Sequence, residues 1–241
     1  MATQKKSPAP HAPANKSPRR KPAVSADIQA GPKVRKVQAE ARSSSPARKP
    51  VKRLTGKARV LSSKISYKGK VFDVSTDKVT EPGGVTSIRD VIRHSGSVVI
   101  LAVDASRNPA DPTILIERQY RHAAGRFLLE LPAGRIEPGE PALAAAKREL
   151  IEETGFRART WSRLVRYYAS PGFLAEHMQV FLAEDIRPGI AQPEADELIE
   201  LLHIPLSELL AMIHAGKIED AKTLLSVLLY ASRTARRPSI K

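Results

Sequence analysis

The chain has 241 residues and no cysteine, with 40 Lys and Arg against 25 Asp and Glu and a formal charge of +15. A cysteine-free chain has no disulfides, no thiolate nucleophile and no cysteine zinc site, and the scattered histidines show no paired ligand spacing. No run of 18 apolar residues and no apolar signal core is present. That argues against membrane spanning and secretion and makes a cytoplasmic protein the expectation.

The charge is uneven. Residues 1–57 hold 15 of the basic groups and two acids, Asp27 and Glu40, so +13 of the +15 lies there. This segment lacks aromatics and is rich in Pro, Ala, Ser and Lys. It cannot bury enough apolar surface to offset its ordering entropy, so a disordered tail is predicted. Its charge allows non-specific contact with nucleic acid or another anionic surface, or simply a solvated leader with no specific partner. No aromatic interleaving or binding motif favours recognition. The prolines Pro8, Pro10, Pro13, Pro18 and Pro22 would break the amphipathic helix of an organelle transit peptide.

From residue 58 three β-rich runs follow, ARVLSSKISY, KVFDVSTDKV and VTSIRDVIRH. Turn signals at Lys68-Gly69 and Glu81-Pro82-Gly83-Gly84 separate them. SVVILAVD (97–104) is almost continuously apolar, as in a strand buried on both faces. TILIERQY and RFLLELPAG read as two further strands, the second delivering the chain to Gly134. Beyond residue 156 come a strand around Leu164 to Ala169, then HMQVFLAED (177–185) and ELIELLHIP (197–205). Two helices finish the chain: one capped by Ser207 and stopped at Gly216, the other opening at Asp220 and running to about Arg233. This order fits an α/β (α+β) fold, a mixed sheet with helices on both faces.

Between Gly134 and Phe156 the sequence is GRIEPGEPALAAAKRELIEETGF. Gly134 and Gly139 bracket a loop, Pro141 suits the first turn of a helix, and Gly155 suits its end. Leu143, Ala146 and Leu150 form the expected apolar stripe. Glu149, Glu152 and Glu153 stand at i, i+3 and i+4, on one helix face. Three like charges there repel, and a bound hard cation such as Mg²⁺ or Mn²⁺, which prefers carboxylate oxygens, would supply the reason for grouping them.

The whole stretch resembles the Nudix box, with Gly134, Glu140, Arg148, Glu149, Leu150, Glu152, Glu153, Gly155 and Phe156 at its fixed places and no departure. Seven fixed identities at roughly 7% usage each match by chance at about one site in 10⁸. The resemblance implies a Nudix α/β/α sandwich with a mixed sheet at 97–235. It also implies a small β-rich dimerisation segment at 58–96, with the tails 1–57 and 236–241 outside the fold. The implied chemistry is metal-dependent attack of water on a nucleoside diphosphate joined to a group X. Glu149 and Glu153 would be metal ligands, assisted by Glu152 and the main-chain carbonyl of Ala133. Arg148 would orient the glutamates by salt bridge, and Glu140 would support them.

Outside the box, several residues resemble the ADP-ribose pyrophosphatase branch: Ser170-Pro171-Gly172 with Pro171 fifteen residues past Phe156, then Glu176, and Arg121 upstream as a substrate contact. Arg89 and Asp90 match positions that shape the adenosine site, often across a homodimer interface. Phe72 is either a stacking partner for adenine or a core residue. The branch's stacking tryptophans are missing, since Trp161 lies after the box, and this puts base selectivity in question. The general base is expected in the loop IRPGIAQPEADELIEL, at Glu197 with Glu194 as the alternative. Expected products are AMP and ribose 5-phosphate. Other nucleotide sugars such as GDP-mannose, dinucleotide polyphosphates, NADH, oxidised nucleotides, or a non-catalytic nucleic-acid-associated role are the competing readings.

Overall fold

In the computed structural model the described residues are 54–191 and 198–235. The first three strands, β1 (Arg59–Lys68), β2 (Asp73–Thr80) and β3 (Thr86–Arg93), form an antiparallel meander. Both turns fall where glycine signals placed them. Gly83 and Gly84 adopt φ of 100° and 88°, which a side chain would strain. The central strand β2 buries Ser75, Asp77 and Val79 on one face, while β1 is exposed along its length.

The larger sheet is built around β4 (Ser97–Asp104), with every residue from Ser97 to Val103 buried. Beside it run β5 (Thr113–Arg121), β6 (Arg126–Glu130), β7 (Ala133–Arg135), β8 (Arg157–Tyr168), β9 (His177–Arg187) and β10 (Ile199–Pro205). The order is β10-β5-β4-β9-β8, with β6 on β5 and β7 on β4. β4 and β9 are parallel and the other pairs antiparallel, so the sheet is mixed.

Helix α1 (Ala142–Thr154) covers one face, where Val98, Ile100 and Ala102 pack with Ala145, Ala146, Leu150 and Phe181. Helices α2 (Leu206–His214) and α3 (Ala221–Ala235) cover the other, where Val99, Leu101 and Val103 pack with Leu209, Val227 and Tyr230. Because side chains alternate along a strand, the continuous apolar run of β4 feeds both cores. Full burial of each such Val, Leu or Ile contributes about 1.5–3 kcal/mol. The expected α/β/α arrangement is present.

Four details differ from expectation. RFLLELPAG is two strands, because Pro132 lacks an N–H and the chain changes partner there. Its carbonyl still accepts Ile100 N–H at 2.8 Å. The strand expected near Leu164 spans twelve residues from Arg157. Leu143 is 39% exposed, and the buried stripe of α1 instead runs through Ala145, Ala146, Glu149, Leu150 and Glu153. Ser207 lies inside α2, and its N–H and hydroxyl both donate to the Asp111 carboxylate, at 2.8 and 2.7 Å. The loop acid Asp111 therefore supplies the end group that Ser207 was expected to supply.

Candidate active site

The site begins with the burial of two glutamates. Glu149 and Glu153 are 9% and 7% exposed on the sheet-facing side of α1, and carboxylates so far from water need polar partners. Glu153 Oε2 accepts the Ala133 N–H at 3.0 Å. Glu149 lies against Gly134, where a Cβ would sit 1.9 Å from the carboxylate carbon. The opening glycine of the stretch is thus required by close approach, and the β6–β7 bend brings Ala133 and Gly134 to the helix. Gly155 ends α1 in the left-handed region (φ 74°), with its N–H on Ile151 O at 2.9 Å.

Arg148 organises the outer side. Nε and Nη2 donate to the two Glu140 oxygens at 3.1 Å each. Nη1 stands 2.8 Å from both Glu149 Oε1 and Glu152 Oε2, and Nη2 also reaches the Arg135 carbonyl at 3.0 Å. The expected repulsion among the glutamates is therefore partly met by one guanidinium. Hydrogen bonding from Arg148 holds Glu140 below the ordinary carboxylate range. The Glu140, Glu152 and Glu149 carboxylates in turn hold Arg148 charged far above its own.

Among the described residues, no three Asp, Glu or His side chains are already gathered round one cation position. The donor set nevertheless fits a hard cation. Two mostly buried carboxylates flank the main chain of Ala133 and Gly134, in a cradle from which a side chain is excluded.

A cavity of about 420 Å³ opens beside this cradle, lined by Ala133, Gly134, Arg135, Arg121, Glu176 and Lys222 among others. Arg121 lines it, held by a two-pronged bond to Glu130, Nε to Oε1 at 2.9 Å and Nη2 to Oε2 at 3.0 Å. Burial works to raise the Glu130 pKa, but the hydrogen bonds from Arg121 and the charge of Lys222 outweigh it and lower it. Glu176 also lines this space and accepts Ser97 Oγ at 2.6 Å. Tyr167, another lining residue, is pushed above the usual phenol range by burial and then by the Asp220 and Glu176 charges.

A second cavity, about 550 Å³, is lined by Phe72, Lys68, Lys70, Arg93, His94 and Arg135 among others. Arg135 lines both. Phe72 is 40% exposed there, which removes the core alternative for it. Arg89 and Asp90 lie on β3 and line neither cavity. Arg89 pairs with Glu81 at 2.6 Å, and Asp90 accepts Thr76 Oγ1 at 2.6 Å. Ser170, Pro171 and Gly172 form a turn between Ala169 and Ala175, which do line the cavities. That loop is strapped to β3 by Ile92 N–H on Phe173 O at 2.8 Å and Ala175 N–H on Ile92 O at 3.0 Å. Trp161 packs against the α1 core. Glu194 and Glu197 lie outside the described residues.

Sequence reading missed the group behind Arg121. Lys222 binds Glu130 and also Asp220, the latter at 3.0 Å. Thr223 is fully buried, donates to Asp220 Oδ2 at 2.6 Å and accepts Leu131 N–H at 2.8 Å. The start of α3 therefore grips the bend that delivers Ala133. One signal was available: Glu130 is a lone charge within the apolar run FLLELP.

The family model described as the NUDIX domain matches residues 93–226, more than half of the chain. The chain belongs to the Nudix family. An ADP-ribose pyrophosphatase of Bacillus subtilis (strain 168) is 34% identical to this Nudix hydrolase over 163 residues, 67% of this chain and 85% of the relative. An ADP-ribose pyrophosphatase of Mycobacterium tuberculosis (strain ATCC 25618 / H37Rv) is 37% identical over 172 residues, 70% of this chain and 80% of the relative. A solved structure described as an ADP compounds hydrolase matches this Nudix hydrolase with a TM-score of 0.66 at 20% identity, covering 79% of this chain and 100% of its own. At that identity the likeness is one of fold. Among the described residues, no helix is long and apolar enough to cross a membrane.

Proposed function

We propose that this Nudix hydrolase splits ADP-ribose into AMP and ribose 5-phosphate, using Mg²⁺ or Mn²⁺. The observation that carries the substrate reading is Arg135, shared by the cavity around Phe72 and the cavity beside Glu149. A two-lobed substrate joined by a diphosphate suits that arrangement. Its base would stack on Phe72, its charged centre would pass Arg135, and its second sugar would lie toward Arg121 and the Ser170-Pro171-Gly172 loop. The names of the two relatives support the same reading.

Glu149 and Glu153 would hold the cation, with Glu152 and the Ala133 carbonyl. When bound, such an ion neutralises diphosphate oxygens and acidifies a coordinated water. Arg148, anchored by its two-pronged bond to Glu140, would orient Glu149 and Glu152 through Nη1. Arg121, fixed by Glu130, presents its remaining face to the substrate. Glu197 is the proposed base, with Glu194 in reserve. In support, Ile199 pairs with Gln119, two residues from Arg121, so the chain leaving this segment is tethered beside the cavity.

The enzyme is proposed to act in the cytoplasm as a homodimer joined through the 58–96 segment, where Arg89 and Asp90 would complete the partner's adenosine site. The basic tail is proposed to make salt-dependent, non-specific contacts with nucleic acid.

A substrate panel with Mg²⁺ tests the central reading: ADP-ribose, GDP-mannose, NADH, dinucleotide polyphosphates and an oxidised nucleoside diphosphate. Phosphate is read after coupling to a phosphatase. ADP-ribose should give the highest kcat/KM by at least about tenfold, a gap of 1.4 kcal/mol. A higher value for any other member would overturn the assignment.

A further inference from the structure

The cavity around Phe72 carries more positive charge than a nucleoside needs. Lys68, Lys70, Arg93 and Arg135 line it against a single acid, Asp73. Arg93 is already committed, since its guanidinium binds Asp77 and its Nε donates to Ser75 Oγ at 2.9 Å. Asp73 stands opposite Lys68 in the β1–β2 register and can answer one charge. Arg135 Nε donates to Ser95 Oγ at 3.3 Å. With Arg93 discounted and Arg135 assigned to the diphosphate, Lys68 and Lys70 still outnumber Asp73 and leave a positive excess.

The turn is built to hold these groups around the ring. Gly69 N–H donates to Phe72 O at 3.1 Å. A Cβ at Gly69 would come within 2.8 Å of both Phe72 O and Tyr67 Cε1. Only glycine allows so tight a reversal, which places Lys68 and Lys70 on either side of it. The Tyr67 and Phe72 ring centroids are 6.1 Å apart.

A base and its ribose are neutral. The diphosphate of a bound substrate is matched on the other side, by Arg121, Arg135 and the cation held at Glu149 and Glu153. Lys68 and Lys70 together, set against Asp73 alone, carry charge surplus to that need. We propose that this cavity accepts adenosine bearing a further phosphate on its ribose, at the 2′ or 3′ oxygen. Compounds of the ADP-ribose type phosphorylated on the adenosine side are then substrates as well. The proposal rests on the ADP-ribose reading for the identity of the base, and otherwise on the charge of the cavity. Exposed lysine–phosphate contacts are individually weak and screened by salt, so the preference is moderate and falls with ionic strength.

Calorimetric titration of the full chain with AMP, adenosine 2′,5′-bisphosphate and adenosine 3′,5′-bisphosphate tests this without turnover. One bisphosphate should bind about tenfold tighter than AMP at low salt, and the better isomer identifies the position. In the Lys68→Ala/Lys70→Ala variant that ratio should fall below about twofold, with the thermal midpoint unchanged. Bisphosphates that bind no tighter than AMP would overturn the proposal, as would a ratio that survives in the double variant. Hydrolysis of ADP-ribose with no bisphosphate preference sinks this proposal alone. A preference without ADP-ribose hydrolysis sinks the substrate reading and leaves the charged cavity standing.

Discussion

A Cβ at Gly134 would collide with the Glu149 carboxylate, so Gly134→Ala must displace either that side chain or the β7 backbone. Displacing a group that supports a metal ligand typically costs about 10–100-fold in metal affinity. Gly134→Ala should weaken Mn²⁺ binding by that order in an electron paramagnetic resonance titration, and unchanged affinity would remove Glu149 from the ligand set. The Arg148–Glu140 pair makes a pH prediction. Arg148 lowers the folded pKa of Glu140 below 4.5, so the unfolded state takes up its proton first as the solution is acidified. The stabilisation is complete above the ordinary carboxylate range and is lost as pH falls through the lowered folded value. Glu140→Gln should therefore melt lower than wild type at pH 7, with a shallower decline below about pH 4.5. A parallel decline in the two proteins would contradict the pairing. Glu149, Glu152 and Glu153 were legible in the sequence because i, i+3 and i+4 spacing fixes a shared helix face without knowledge of the fold. Gly134, Glu140 and Arg148 were instead singled out by the resemblance to the Nudix box. The partners of Glu130 were not legible, because Arg121 and Lys222 reach it across nine and ninety-two residues.

The start of α3 is tied to the β6–β7 bend by the Lys222–Glu130 ion pair and by one hydroxyl. Thr223 Oγ1 joins Asp220 to Leu131 N–H in a fully buried setting, and Leu131 stands two residues before Ala133. Thr223→Val would leave the Leu131 N–H without its acceptor and remove one donor from Asp220, which keeps Lys222 and the backbone N–H of residue 223, a cost of about 1–3 kcal/mol. It should lower stability in urea by that amount and reduce kcat by loosening the Ala133–Gly134 cradle. Thr223→Ser keeps the hydroxyl and should restore most of both. A serine variant as impaired as the valine variant would point to lost packing instead. Most strands and helices could be read from apolar periodicity and glycine punctuation. Errors came where a distant group decided the local outcome: Asp111 binding the first turn of α2, Pro132 splitting a strand, and the sheet-facing glutamates displacing Leu143 from the buried stripe of α1.

The assembly proposed for the whole molecule depends on the exposed β1–β3 sheet. Ile65 and Ile88 line one groove on it, and Ile88 is 65% exposed. An exposed isoleucine pair on this sheet is where the proposed interface would gain apolar burial. Ile88→Asp should convert the proposed homodimer to monomer in sedimentation velocity, and activity should fall if Arg89 and Asp90 serve the partner's site. A wild-type monomer, or an Ile88→Asp dimer, would contradict that interface. Alternation in the segment predicted its three strands. It could not predict which face stays open, because that depends on what packs against each side.

Glu149 and Glu153 are proposed to hold the cation needed to hydrolyse ADP-ribose. The most direct test follows AMP and ribose 5-phosphate formed from ADP-ribose with Mg²⁺, in wild type and in Glu153→Gln of verified fold. Wild type should form the two products in equal amounts and stop when Mg²⁺ is chelated, while Glu153→Gln should form neither. Wild-type turnover by Glu153→Gln would contradict the metal assignment and the account built on it.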